Sequence, residues 1–184
     1  MPTSTPILSP DKVPHRMDQM LGDAFQILAF RDLERPHQLA MAHYMAIDGE
    51  AWCEGLPAGA VWPSKEQQQK GLRRCLPRML ELYGDTLFGV ALLPRESLQQ
   101  AILQSKEIGG DFPDWDAYHA WYVNAGDMPN HGKTNRWPVI LSDLGDEVLQ
   151  DGWHRLHCYL KRGDADIPAV FYPREHHLQQ AGLA

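Results

Sequence analysis

Short apolar runs alternate with amphipathic segments along the second half of the chain, and this alternation predicts strands separated by helices. Each run is bounded by Gly, Pro, Asp or Asn, as is typical of buried strands. Four segments show the pattern: 86–93, 136–142, 147–150 and 167–172. After the third run, Trp153, Leu156 and Tyr159 recur at helical spacing. This spacing predicts a helix with a core-facing stripe that ends at Gly163.

The other predicted elements depend on helix caps and breakers as well as on apolar spacing. They are a strand over 24–30, helices over 36–46 and 94–102, and a helix within 112–123. The last of these helices contains an aromatic cluster and begins after Asp114, a residue type that favours the cap position. The run at 86–93 is continuously apolar, which favours a central strand buried on both faces.

Charge and cysteine usage restrict the class of protein. The formal net charge of −7 over 184 residues does not suit a protein that coats nucleic acid non-specifically. Three widely spaced cysteines favour a reducing compartment over a disulfide framework. The sequence has neither the long apolar run of a membrane span nor the leader pattern of a secretory signal. We therefore expect one compact, soluble and cytoplasmic domain.

The sharpest local signal is the segment Asp151–Arg155, where a strand is predicted to turn directly into a helix. Gly152 permits close backbone approach, and the first-turn N–H groups of a helix attract anions. His154 and Arg155 add hydrogen-bond donors at the same place. This combination favours a phosphate-binding turn.

Two alternatives at this turn stay open from the residues alone. Arg155 either contacts an anion or pairs with Asp151 or Asp146 in a purely structural turn. Asp151 could orient His154, bind a metal or act as a base. The glycine motifs of P-loop and dinucleotide-binding proteins do not occur, which excludes nucleotide binding by those two motifs.

The order of a strand, an Asp-Gly-x-His-Arg turn, a helix and an Ile-Pro strand resembles the ParB/sulfiredoxin-like superfamily. The segment Pro94–Ile102, with its Ser-Leu-x-x-x-Ile pattern, is similar to the other nucleotide-binding helix of that family. The resemblance covers residues 86–173, which is about half of the chain. The size and the long N-terminal extension further resemble plasmid fertility-inhibition proteins of the Osa and FiwA type.

The resemblance implies an α+β fold of the ParB/sulfiredoxin type. A mixed sheet with flanking helices would span residues 86–184, and residues 1–85 would form an N-terminal extension packed on it. The expected catalytic residues are Asp151, His154 and Arg155. The expected nucleotide-binding residues are Gly152, Trp153, Arg95, Ser97, Lys133 and Arg136. ATP and Mg²⁺ would be bound, with the metal-side carboxylates left unranked among Glu107, Asp111, Asp143, Asp146 and Glu147.

The Osa and FiwA resemblance also implies a biological role. It is that of a plasmid-encoded fertility-inhibition factor with ATPase and DNase activity. Such a factor blocks conjugative transfer and T-DNA transfer (oncogenic suppression) through a type IV secretion system. Its expected partners are the transferred DNA and coupling components of that system. It would be cytoplasmic or peripheral at the inner membrane.

The chain also departs from this family. Sulfiredoxins have their catalytic Cys where this chain has Trp153, so we do not expect reduction of a sulfinic acid. Ala101 replaces a hydroxyl residue, which removes one nucleotide contact. No helix-turn-helix region follows the motif, which disfavours a chromosome-partition role.

Two alternative functions remain, a small-molecule kinase and a non-catalytic inhibitor that docks on the secretion machinery.

Two further patterns have ordinary explanations. The basic row Lys70, Arg74 and Arg78 could contact nucleic-acid phosphates but is more typical of a solvated helix face. The histidine pair His154 and His157 lacks a third ligand at suitable spacing, which disfavours zinc.

Overall fold

The computed structural model describes residues 20–48, 76–77, 79–105, 111–124, 136–142 and 148–184. A 3-10 turn at Phe30–Asp32 joins the first strand to the first helix, and residues 79–83 are helical. The strands are β1 (Phe25–Ala29), β2 (Leu87–Pro94), β3 (Val139–Leu141), β4 (Leu149–Asp151) and β5 (Asp166–Phe171). The helices are α1 (Arg35–Asp48), α2 (Arg95–Gln104), α3 (Trp115–Asn124), α4 (Trp153–Arg162) and α5 (Glu175–Gln180).

The five strands form one mixed sheet in the order β1-β2-β5-β3-β4. The pairs β1–β2, β2–β5 and β3–β4 are antiparallel, and the pair β3–β5 is parallel. This arrangement confirms the predicted α+β class with a mixed sheet. The parallel pair requires a crossover, which α4 supplies together with β4.

Each face of the sheet carries its own hydrophobic core. On one face, the helices α2 and α4 contribute Leu98, Ile102 and Leu156, and all three side chains are fully buried. The predicted apolar stripe of α4 is thereby confirmed. On the opposite face, α1 and the helical residues near 79 pack over Phe88 and Val170.

The expectation that β2 is buried on both faces holds for only part of its length. Phe88 is fully buried, Val90 is half-buried and Leu92 is 59% exposed, and all three lie on the same face of the strand. The described elements that cover this face pack over Phe88 and leave the far end of the strand open. The central position of β2 in the sheet is confirmed.

The strand β1 lies within the predicted N-terminal extension, yet it is part of the sheet. All five of its residues pair with β2, from Phe25 opposite Ala91 to Ala29 opposite Leu87. The side-chain amide of Gln38 on α1 then donates to the carbonyl oxygens of Phe30 and Arg31 at 3.1 and 3.2 Å. These bonds fix the turn between β1 and α1.

None of the helices in the described ranges is long and apolar enough to cross a membrane.

Candidate functional site

The predicted turn lies where β4 ends and α4 begins. Gly152 caps α4 in a left-handed conformation, with φ 106° and ψ 17°. A Cβ at this position would lie 3.1 Å from the Nε and Nη2 atoms of Arg155 and 3.1 Å from the Cα of Val139. Backbone conformation and crowding therefore both require glycine here. The sharp strand-to-helix turn expected from the sequence is confirmed.

Arg155 points into the protein beneath this turn. Its Nη2 donates to Asp151 Oδ2 at 2.5 Å and its Nη1 donates to the carbonyl oxygen of Pro138 at 2.7 Å. The residue is only 7% exposed. Burial lowers the pKa of Arg155 below its usual value, and the charge and hydrogen bond of Asp151 oppose that shift.

The arginine therefore ties β4 and α4 to the segment that precedes β3. Of the two roles left open by the sequence, the structure shows the pairing with Asp151. Asp146, the other possible partner, lies outside the described residues. Because the carboxylate offsets the charge of the guanidinium, this pair adds little net positive charge to the turn.

The first turn of α4 receives no side-chain cap from Gly152, and its first helical bond runs from Leu156 N to the Gly152 carbonyl at 2.8 Å. A helix that starts without such a cap presents its positive dipole end to its surroundings. Trp153 is partly buried against the core that contains Leu156. The turn can thus attract an anion through the backbone rather than through Arg155.

His154 lies along the helix beside Cys158, with its Nε2 atom 3.4 Å from the sulfur. This distance raises the question of a Cys–His nucleophile. Burial raises the pKa of the Cys158 thiol, while Arg162 and Lys161 lower it to a smaller extent. A raised thiol pKa disfavours the reactive thiolate.

The second predicted nucleotide-binding element begins at the same end of the sheet but at the opposite end of α4. The backbone N–H of Arg95 donates at 2.8 Å to the carbonyl of Ala165, which follows the C-terminus of α4. Because α4 has ten residues, its two ends lie about 15 Å apart. The Arg95 guanidinium lies 3.3 Å from Glu96, and Ser97 is exposed on the first turn of α2.

Arg136 lies just before β3, on the segment whose backbone Arg155 and Tyr159 contact. It is exposed, and it is near enough to Tyr159 in the middle of α4 to affect that phenol. Burial raises the pKa of Tyr159, and Arg162, Arg155 and Arg136 act in the opposite direction. The Tyr159 hydroxyl donates to the carbonyl of Trp137 at 3.2 Å. Arg136 thus belongs to the surface that follows α4.

Several predicted residues lie outside the described part of the chain: Lys133, Glu107, Asp143, Asp146, Glu147 and the basic row Lys70, Arg74 and Arg78. Of the candidate metal-side carboxylates, only Asp111 is described. Within the described ranges, no group of three or more His, Cys, Asp or Glu side chains is arranged to hold a metal ion. Asp151 is already bonded to Arg155. The described residues therefore form no protein-only Mg²⁺ site, and Mg²⁺ bound through nucleotide phosphates needs only one or two carboxylates.

A buried histidine cluster between α3 and α4 was not predicted from the sequence. His157 is fully buried, and its Nδ1 lies 2.9 Å from His119 Nδ1. Its Nε2 lies 3.2 Å from the Tyr118 hydroxyl, and its ring stacks on Tyr122 with centroids 3.6 Å apart. The sequence signal was the aromatic spacing of α3, which predicted core residues but not their histidine partner.

Comparison with protein-family models, with curated proteins and with solved structures gave no match to this chain.

Proposed function

We propose that the start of α4 binds the phosphates of ATP and that the protein hydrolyses this nucleotide. The observation that supports this proposal is the helix start at Gly152, which has a left-handed glycine and no side-chain cap. Such a turn offers backbone N–H groups and the positive end of the helix dipole to a phosphate. The resemblance of this segment to the ParB/sulfiredoxin-like superfamily supports the same assignment and the same fold.

The residues of the turn then have distinct roles. Arg155 and Asp151 are positioning residues, because they bond to each other and to the backbone before β3. Trp153 and His154 stand in the first turn of α4, where a phosphate would lie. Arg136, near Tyr159 on α4, and Arg95 and Ser97, at the start of α2, would hold the rest of the nucleotide.

The wider role that we propose is fertility inhibition from a plasmid. In this role the protein has ATPase and DNase activity and blocks DNA transfer through a type IV secretion system, with Mg²⁺ as the expected metal. Support for this role comes from the Osa and FiwA resemblance. Phosphoryl transfer requires charge neutralisation, which the metal would supply. Its ligands would come from outside the described residues or from the nucleotide and solvent, because the described residues contain no group of three metal-ligating side chains.

A second candidate is a non-catalytic inhibitor that docks on the secretion machinery. The burial of Arg155 and its pairing with Asp151 favour this candidate. A catalytic arginine must reach the substrate, whereas this guanidinium is held by a carboxylate and a backbone carbonyl. Under this proposal the turn is a structural corner that carries a vestigial anion site.

The experiment is an ATP titration followed by amide NMR shifts, with and without Mg²⁺, together with a phosphate-release assay. We expect ATP to shift the amides of residues 153–155. His154→Ala should weaken binding about tenfold or more, as loss of one hydrogen bond to a charged group would, and should reduce hydrolysis. The matched control is His176→Ala, which changes an exposed histidine on α5.

Arg155→Ala is a poor test here because it removes a buried structural pair. Absence of any ATP-induced shift at residues 153–155 would exclude the nucleotide proposal. Binding without phosphate release, combined with normal transfer inhibition by His154→Ala, would favour the docking candidate. Phosphorylation of an added small molecule would indicate a kinase instead.

A further inference from the structure

A groove of about 570 Å³ lies across the sheet on the face opposite α2 and α4. It spans three neighbouring strands, with Leu28 on β1, Val90 and Leu92 on β2 and Pro168 on β5. The first turn of α1 closes one side of it. The groove is therefore separated from the Gly152 turn by the sheet itself.

The floor of the groove is apolar and exposed. Leu92 is 59% exposed although it lies in the second strand of a five-stranded sheet. Its cross-strand partner is Pro168, and Val90 lies two residues away on the same face. Leu92, Val90 and Pro168 therefore place apolar side chains side by side in a concave part of the sheet surface, which is the kind of lining that small-ligand sites use.

The rim of the groove carries negative charge. Asp23 and Glu34 both line it. The amide Nε2 of Gln180 donates to the Asp23 carboxylate, and a neutral donor leaves the carboxylate charge in place. Across the described ranges of the chain, no basic side chain forms an ion pair with Glu34.

His37, on the first turn of α1, also lines the groove. Its Nδ1 atom is enclosed and has no hydrogen-bond partner within the described residues. Burial lowers the pKa of His37, and Glu34 opposes that shift to a smaller extent. A neutral ring adds no positive charge to the groove, so the two carboxylates determine its sign.

We infer that this groove binds a small amphipathic amine, with an alkyl or aromatic body on the Leu92 floor and a protonated amino group at Glu34 and Asp23. The apolar floor supplies affinity through burial of the body. The carboxylates select a cation over a neutral or anionic molecule of the same shape. The groove volume of about 570 Å³ is within the range of small-ligand sites.

The test compares three probes of equal chain length: hexylammonium, hexanol and hexanoate. Each is titrated against the full chain and followed by amide NMR shifts of residues 24–28 and 90–92. We expect hexylammonium to bind at least fivefold more tightly than hexanol and expect no binding of hexanoate. Rising salt concentration should reduce the difference between the ammonium and the alcohol, because the carboxylates are exposed.

Two variants separate the two parts of the site. Glu34→Gln should bring hexylammonium close to the affinity of hexanol, whereas Glu81→Gln, on an exposed residue outside the groove, should change nothing. Leu92→Ser should weaken all binding. Equal affinity for the ammonium and the alcohol, or shifts confined to other residues, would overturn the proposal. Binding of a lysine-containing peptide at a concentration where hexylammonium produces no shift would also overturn it, in favour of a protein partner.

Discussion

At the scale of single residues, Gly152 and Arg155 depend on each other. The guanidinium fills the space that a Cβ at position 152 would enter, with 3.1 Å between the ideal Cβ and two of its nitrogens. The glycine in turn permits the backbone to turn back over the arginine. The motif is therefore explained by packing before any ligand is considered.

The first prediction compares two left-handed glycines at the two ends of α4. Gly152→Ala should destabilise the protein by about 2 kcal/mol, since it combines an unfavourable φ with crowding. Gly163→Ala, where nothing lies within 4 Å of the added Cβ, should cost about 1 kcal/mol. Urea unfolding of both variants measures the difference. Equal losses would contradict the close packing of Arg155 under the turn.

The second prediction compares two arginines of the same helix. Arg155→Ala should lower the free energy of unfolding by about 3 kcal/mol, because it leaves Asp151 and the Pro138 carbonyl without their donor. Arg162→Ala breaks a more exposed pair with Asp164 at 2.8 Å and should cost less than about 1 kcal/mol. The urea midpoints of the two variants are the measurement. A small loss for Arg155→Ala would indicate that Arg155 is not needed for stability and is a candidate for ligand contact.

The third prediction concerns pH and His157. Burial, with smaller contributions from His119 and His154, lowers the pKa of His157 from 6.5 to about 3. Below about pH 6.5 the unfolded chain binds a proton at this histidine, whereas the folded protein does not bind it until the pH approaches 3. The free energy of unfolding therefore has its full value above about pH 6.5 and decreases as the pH falls towards 3. At pH 5 the loss is about 2 kcal/mol.

Urea unfolding at pH 7.5, 6 and 5 measures this loss. His157→Gln should flatten the dependence between pH 6.5 and 5, whereas His176→Gln, on an exposed histidine, should leave it unchanged. An identical pH dependence in wild type and His157→Gln would show that other groups cause it.

At the scale of elements, β2 and β5 are joined by a cross-strand pair that needs glycine. Gly89 lies opposite Phe171, and an added Cβ would lie 2.1 Å from the Cζ of that ring. The ring covers the glycine and packs edge-on against Phe25 with centroids 5.7 Å apart. The absence of a side chain at Gly89 therefore leaves room for the Phe171 ring over the strand.

The fourth prediction follows from this pair. Gly89→Ala should destabilise the protein by about 3 kcal/mol, because the phenyl ring has to leave a packed core position. The double variant Gly89→Ala/Phe171→Leu should be less destabilised than the sum of the single variants by at least about 1 kcal/mol. A double-mutant cycle in urea measures this coupling. Strict additivity would show that the two side chains do not compete for the same space.

Most elements could be predicted from the sequence, since strands and helices leave local periodic signals. The stripe of α4, its end at Gly163 and the cap at Asp114, which accepts from the Ala117 N–H at 2.9 Å, are confirmed. The direction of Arg155 could not be predicted, because an arginine after a turn has the same local pattern whether it faces solvent or the next strand. The exposure of Leu92 was missed because it depends on where α1 lies over the sheet.

At the scale of the whole molecule, the two proposed sites use opposite faces of one sheet. The turn at Gly152 belongs to the face covered by α2 and α4, and the groove at Leu92 belongs to the face covered partly by α1. The face of the sheet on which each site lies could not be predicted from the sequence, because strand order is set by pairings between distant segments. Because the sheet separates the two sites, we expect occupation of one to change binding at the other by less than about twofold.

The order of the strands also determines when this protein can fold during its synthesis. The strand β5 lies at the centre of the sheet, between β2 and β3, yet it is the last of the five to be translated. Until it leaves the ribosome, the β1–β2 pair and the β3–β4 pair have no common partner and their apolar faces remain uncovered. A nascent chain stalled before residue 166 should therefore be protease-sensitive and bound by chaperones, and release of β5 should permit folding in a single late step.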